Sequence, residues 1–445
     1  AEVLDLPALE TRLHAALKDA GDTRARRAAA VQVLGEALRT GNEALQAAFL
    51  AAPRDARAYV RAQTWLTDTM VTCALNISRL HLHPIANPTG AEQISLLAVG
   101  GYGRAEMAPW SDVDLLFLVP WKVTGWVESV IESTLYILWD LKLKIGHATR
   151  TIEDCLRLGR VDYTIRTALL ENRYLSGERE LAQALKDRLW NELFQGTQAE
   201  FIEAKLAERA ERHRKQGGQR YMLEPNVKEG KGGLRDLQTL YWIAKYLHRV
   251  EQAAELVPLG FFTEEEYQNF RAAETFLWAV RCHLHHIAGR AVDQLTFDQQ
   301  PEVAARMGYA DQGGRRAVEH FMQAYFRHVT RVGELTRIFL TALEARHVKS
   351  APGLLGLLRR RKRVKAGYRV DLNRLNVADP AAFLQDPLNL LRIFEEALRT
   401  GLLIHPDAMR LIAANLHLID ADLRENPEAV RIFLDLMLKH GNPER

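Results

Sequence analysis

The chain is short of cysteine: Cys73, Cys155 and Cys282 are the only three in 445 residues. An odd, widely spaced trio forms neither a disulfide framework nor a CxxC metal pair, and it suits a reducing compartment. Cytoplasmic residence is the expectation. Long apolar runs are also missing. No stretch approaches the roughly 18 consecutive apolar residues of a membrane-spanning helix, and the opening Ala1-Glu2-Val3 is not the basic-then-apolar start of a secretory leader. No membrane is therefore expected among the partners. Nor is one sign of charge in excess, since 59 Lys and Arg face 56 Asp and Glu for a net +3. A nearly neutral chain offers no long electrostatic track, so nucleic acid is not expected as a partner either. There is no internal repeat and no low-complexity tract. Familiar signatures are wanting as well. Gly101-x-Gly103 is followed by Glu106 where a dinucleotide fingerprint needs a third glycine, no P-loop is present, and nothing local supports Ser/His/Asp or Cys/His catalysis.

What is present is an ordinary globular composition, 47% hydrophobic and 26% charged, at a length that suits two or three domains. The first 80 residues carry apolar side chains at helical spacing, as at Leu9, Leu13 and Leu17, interrupted by Gly21, Gly35 and Gly41. Prolines and a glycine punctuate residues 81–90. Two strand-length apolar runs follow, 94–99 and 113–119, then a helical segment from about Trp126 to Leu143. Residues 144–151 and 165–175 read as two more strands. From 181 to 348 the pattern is helical, broken by a loop at 216–233. Pro352, Gly353 and Gly356 mark a junction, and the remainder is helical apart from a short hairpin around 364–372. The expected class is α+β: a small mixed-sheet domain at 81–180, flanked by helical regions at 1–80, 181–348 and 349–445.

Two segments carry chemistry. In Leu96-Leu97-Ala98-Val99-Gly100-Gly101-Tyr102-Gly103-Arg104, followed by Ser111-Asp112-Val113-Asp114-Leu115-Leu116, a strand would put Asp112 and Asp114 on one face. Two carboxylates side by side on an apolar strand repel each other and are desolvated, a conflict that a hard divalent cation resolves. Mg²⁺ is the usual one where phosphates are present. Gly100, Gly101 and Gly103 permit a turn whose amides can approach phosphate oxygens. A phosphate cradle just ahead of a metal-binding acid pair suits metal-assisted nucleotidyl transfer. The second segment, 224–238, holds Gly230, Gly232 and Gly233 with Lys228, Lys231 and Arg235 as donors for a triphosphate. From Lys205 to Asp236, nine basic residues face five acidic ones, a local excess of +4.

The first segment resembles the signature of the DNA polymerase beta-like nucleotidyltransferases, in the form found in bacterial PII uridylyltransferase/uridylyl-removing enzymes, with Ala105-Glu106-Met107 where that pattern has Gly-Glu-Leu. Glu224-Pro225-Asn226-Val227-Lys228-Glu229-Gly230-Lys231-Gly232-Gly233-Leu234-Arg235-Asp236-Leu237-Gln238 resembles the motif that sets these enzymes apart, and His285-His286, Gly289-Arg290 and Asp293-Gln294-Leu295-Thr296-Phe297 fit their helical domain. The resemblance implies a nucleotidyltransferase domain at 81–180 and transfer of UMP from UTP to a tyrosine of the PII nitrogen-regulatory protein, with release of pyrophosphate. Arg104 and Ser111 then join the glycines as nucleotide-binding residues. A two-metal site needs a third acid, and Glu171-Asn172-Arg173 is similar to the acid-x-Arg of related enzymes. That makes Glu171 the expected third ligand and helper in deprotonating the tyrosine, ahead of Asp162 and Asp140.

The same resemblance implies a His-Asp hydrolase domain and glutamine-sensing modules. None of the 15 histidines is followed by Asp, so the chain is expected to be the N-terminal transferase portion, leading toward those domains without containing them. Two readings compete: an adenylyltransferase acting on glutamine synthetase, and an inactive nucleotide-sensing module on the same fold. Two tempting signals are set aside. Neighbouring helix positions point about 100° apart, so Cys282-His283-Leu284-His285-His286 cannot converge on one ion. Arg359-Arg360-Arg361-Lys362-Arg363 lacks interleaved aromatics and reads as a solvated junction.

Overall fold

A computed structural model describes residues 3–218, 220–347, 364–371 and 374–439. The junction at 352–356 and the basic run at 359–363 lie outside them. The structure is α+β and divides into two compact units, Ala1–Leu335 and Thr336–Arg445. The boundaries expected at 80 and 180 do not separate units, because one body runs through both.

The first unit opens with three helices, α1 (Leu6–Asp19), α2 (Thr23–Ala51) and α3 (Ala56–Ile77), whose N-termini are capped by Asp5, Asp22 and Asp55. Gly35 and Gly41 do not break α2. A Cβ at Gly41 would stand 2.8 Å from Leu66 of α3, so that glycine marks a close helix crossing. Next come β1 (Ser95–Ala98), the single turn α4 (Gly100–Gly103), β2 (Val113–Leu118), α5 (Gly125–Asp140), β3 (Ile145–Arg150), α6 (Ile152–Val161), α7 (Tyr163–Leu170), β4 (Arg173–Gly177) and α8 (Arg179–Arg188). The strands form one mixed sheet in the order β3-β2-β1-β4, with β1 antiparallel to β2 and β4, and β2 parallel to β3. The central strands are buried on both faces, which is why they read as unbroken apolar runs.

One expected strand is overturned in part. Residues 165–170 are helical, because Asp162 Oδ1 accepts from the N–H groups of Thr164 (2.7 Å) and Ile165 (3.1 Å) and starts α7; only from Arg173 does the chain extend. The helices α9 (Gln198–Lys215) and α10 (Leu234–His248) pack against the sheet in a core that includes Leu97, Leu116, Leu169, Phe201, Trp242 and Tyr246. Phe201 and Tyr246 stack at 3.9 Å and 7°, an arrangement worth about 0.5–1.5 kcal/mol beyond burial. The long helix α11 (Glu264–Ala288) starts with a Thr263/Glu266 capping box, α12 (Gln300–Arg306) follows, and α13 (Ala317–His347) begins in this unit.

The second unit holds β5 (Tyr368–Asp371), β6 (Arg374–Val377), α14 (Pro380–Leu384), α15 (Asn389–Thr400), β7 (Leu403–Ile404), α16 (Pro406–Ala414), α17 (Ala421–Glu425) and α18 (Pro427–Lys439). Its sheet runs β5-β6-β7, so the hairpin lies a few residues beyond its expected place. Leu375, Val377, Leu390 and Ile393 form its own core. No helix of the described residues is long and apolar enough to cross a membrane.

Candidate active site

Asp114 is the second residue of β2 and pairs in parallel register with Gly146 of β3. A Cβ at Gly146 would stand 2.5 Å from Asp114 Oδ1, so only glycine leaves the carboxylate its place. On another side lies the start of α4, where Gly100 takes a left-handed φ of +59°. Asp112 precedes the strand and is exposed; Ser111, ahead of it, closes a turn through its N–H on Ala108 O (3.2 Å). Burial, and then the charge of Asp112, push the Asp114 carboxyl above its ordinary value, against the pull of Lys228.

Lys228 reaches this neighbourhood because its loop is pinned to residues 293–295. Val227 N–H donates to Asp293 O (2.8 Å), Leu295 N–H to Pro225 O (2.9 Å), and Asn226 bridges Gln294. Asn226 Oδ1 then accepts from the amides of Lys228 (3.1 Å) and Glu229 (2.7 Å), turning the chain back on itself. Burial pushes the Lys228 ammonium below its ordinary value, helped by the charges of Arg281 and Arg235. Among the described residues its side chain makes no hydrogen bond or ion pair.

The other candidates are placed differently. Arg104 is turned inward: its Nη1 donates to both Glu171 oxygens at 2.7 Å, and its Nε lies 3.3 Å from Glu106. Glu171 is only 3% exposed and also accepts from the Trp242 indole. Burial pushes the Glu171 carboxyl up, and the Arg104 charge opposes it. Since arginine does not give up its proton, the two form a buried ion pair. In this structure Arg104 and Glu171 are thus each other's partners, and among the described residues no three His, Cys, Asp or Glu side chains stand close enough to hold a metal. Asp162 is spent capping α7, and Asp140 is exposed at the last turn of α5.

Two of the three loop cations are engaged too. Lys231 Nζ lies 3.4 Å from Gly218 O, while Arg235 holds Glu229 and Gln238 and stands over the Trp242 ring at 5.3 Å. The loop glycines serve the chain's own backbone, since Cβ atoms at Gly230, Gly232 and Gly233 would fall 2.4–2.7 Å from carbonyls of Asn226, Val329 and Val227. Gly103 behaves likewise, its Cβ position lying 1.9 Å from Glu171 O. Gly100 and Gly101 keep first-turn amides that no helix satisfies internally.

Two further residues shape the site. Gly146 is one; nothing in its local pattern announces a parallel pairing with Asp114. Arg173 is the other, carried within the acid-x-Arg motif itself. It grips both oxygens of Asp68 on α3 (2.7 and 3.1 Å) and donates to the carbonyls of Tyr102 (3.2 Å) and Gly103 (3.3 Å), fixing the glycine turn.

The donor set fits a hard cation. Asp112 and Asp114 form a partly desolvated acid pair, and Mg²⁺ is commonly held by one or two carboxylates with phosphates and water supplying the rest. The histidine cluster diverges: His283 faces Pro53 O, His286 faces Tyr59 Oη, and His285 faces Pro109 O and Asp293.

Residues 200–340 match the family described as GlnD PII-uridylyltransferase, and residues 368–445 match the uridylyltransferase GlnD third domain. A bifunctional uridylyltransferase/uridylyl-removing enzyme of Cereibacter sphaeroides is 64% identical over 445 residues, 100% of this chain and 48% of that protein. Another, from Ruegeria pomeroyi, is 63% identical over 443 residues, 100% of this chain and 49% of that protein. The chain spans about half the length of these curated relatives. With identity at this level along its whole extent and both segments matched, the chain belongs to the GlnD uridylyltransferase family.

Proposed function

We propose that this chain transfers UMP from UTP to a tyrosine hydroxyl of a PII signalling protein, releasing pyrophosphate. The observation that carries the reading is that Asp114, beside Asp112 and the glycine turn, feels the charge of Lys228. Asp112 and Asp114 would hold Mg²⁺, which when bound supplies positive charge to the phosphate oxygens. Lys228, whose side chain makes no hydrogen bond or close ion pair among the described residues, would offer its ammonium to the triphosphate, and the amides of Gly100 and Gly101 would face the same anion. Phosphoryl-type transfer asks mainly for positioning and electrostatics, which these groups provide. The phenol has a pKa of about 10 and is a weak nucleophile at neutral pH. Glu171, the helper expected from the sequence in taking its proton, is engaged with Arg104 in this structure. Incubation with a PII protein, labelled UTP and Mg²⁺ should add the mass of UMP to PII. Equal or faster labelling from ATP would sink the uridylyl assignment.

A further inference from the structure

Asp236 is the third residue of α10, is 0% exposed, and collects donors from two directions. Its Oδ2 accepts from the Gly232 N–H at 2.8 Å. Its Oδ1 accepts from Arg209 Nε at 3.1 Å and from Arg212 Nη2, and His213 Nε2 lies 2.9 and 3.0 Å from the two oxygens. Arg209, Arg212 and His213 stand at i, i+3 and i+4, on one face of α9. Burial alone would raise the Asp236 carboxyl, but the hydrogen bond from His213 and the charges of Arg209 and Arg212 hold it well below the usual carboxylate range. Part of the basic excess between Lys205 and Asp236 is thus turned inward, onto this one acid.

What the carboxylate holds is the ring of chain that carries Lys228. The loop closes on the start of α10, where the N–H groups of Leu234 and Arg235 donate to the carbonyls of Val227 (3.0 Å) and Lys228 (2.9 Å). Gly232 completes the bend with a left-handed φ of +83° and its amide on Asp236. Arg212 supplies a second tie. Besides meeting Asp236, it lies 3.7 Å from Glu229, the residue after Lys228, and Arg235 holds the same Glu229 at 3.1 Å.

An ion pair that served helix packing alone could join α9 to α10 directly. This one reaches beyond both helices to a backbone N–H of the loop. We propose that Asp236 is a positioning residue: it locks the 227–233 loop onto α9 and α10 and so sets where the Lys228 ammonium stands. The inference rests on the reading that Lys228 acts on the triphosphate.

The first test needs no nucleotide. In the full chain, Asp236→Ala removes the acceptor of the Gly232 amide, which should then exchange with solvent about tenfold faster, the scale of a lost charge-assisted hydrogen bond. The amides of β1 should be unchanged. Should that variant not fold, Arg209→Gln is added to it, so that one buried cation leaves together with the carboxylate. Unchanged exchange at Gly232 overturns the proposal. The positioning role is read by titrating UTP and UMP. Asp236→Ala should weaken UTP by about tenfold and UMP by much less, whereas an equal loss for both nucleotides marks a merely structural role and overturns it. In a Lys228→Ala background the same substitution should change UTP affinity by less than about twofold, because the group through which it acts is already gone. Effects that multiply in full show that Asp236 does not act through Lys228, and the role is removed. If the Gly232 amide responds but the wild-type chain binds no UTP, the lock on the loop stands and the functional reading falls.

Discussion

At the scale of single residues, the acid pair and the buried ion pair separate cleanly. Asp114→Asn, or Asp112→Asn, should reduce transfer to below about a tenth of wild type, since the charge stabilisation such acids support is worth several kcal/mol. Asp114→Asn should also raise the melting temperature slightly at neutral pH. The folded Asp114 carboxyl sits above its unfolded value, so its contribution is fully present below about pH 3.9 and declines as pH rises through the folded value. The amide removes that decline, and thermal melts from acid to neutral pH would show it. Glu171→Gln should behave in the opposite manner. It leaves the Arg104 charge buried with Glu106 as its remaining ion-pair partner among the described residues, which costs about 3 kcal/mol of stability. Should Glu171→Gln keep its melting temperature and lose Mg²⁺ binding instead, Glu171 acts as a metal ligand and not as the structural partner of Arg104.

At the scale of elements, the strand register and the 224–238 loop set the geometry. Gly146→Ala puts a Cβ 2.5 Å from Asp114 Oδ1, so the carboxylate must shift. Transfer should fall by about a hundredfold, the usual cost of a displacement near 1 Å in a reacting group, with little loss of stability. A variant of wild-type rate would show that β3 does not shape the acid. Lys228→Ala should weaken UTP binding by about ten- to a hundredfold and UMP binding by much less. Lys231→Ala, engaged at Gly218, should leave the UTP-to-UMP ratio unchanged; titration calorimetry on both nucleotides decides between the two lysines.

The elements also show what was legible from the sequence. β1 and β2 were readable as apolar runs because both faces are covered, and Asp112-x-Asp114 stood out against them. The fate of the cations was not readable. Arg104, Lys231 and Arg235 have the chemistry of phosphate ligands, and only the tertiary placement of Glu171, Gly218 and Glu229 consumes them. Lys228 differs from them in making no hydrogen bond or close ion pair among the described residues. Residues 165–170 misled because a β-rich pattern lost to one capping aspartate.

At the scale of the molecule, each unit has its own core. Calorimetric unfolding should therefore fail the two-state test, with a calorimetric enthalpy exceeding the van't Hoff value; a single two-state transition would mean that the cores melt as one. The Arg173 contacts have another consequence. Because that guanidinium holds Asp68 of α3 together with the carbonyls of the glycine turn, the sheet with its acid pair cannot be transplanted as a minimal nucleotide-binding cassette. A protein engineer who trims the leading helices would strip away a buttress of the phosphate-facing turn. In a genetic screen, lesions scattered along α3 would then score as loss of chemistry although they sit nowhere near the nucleotide.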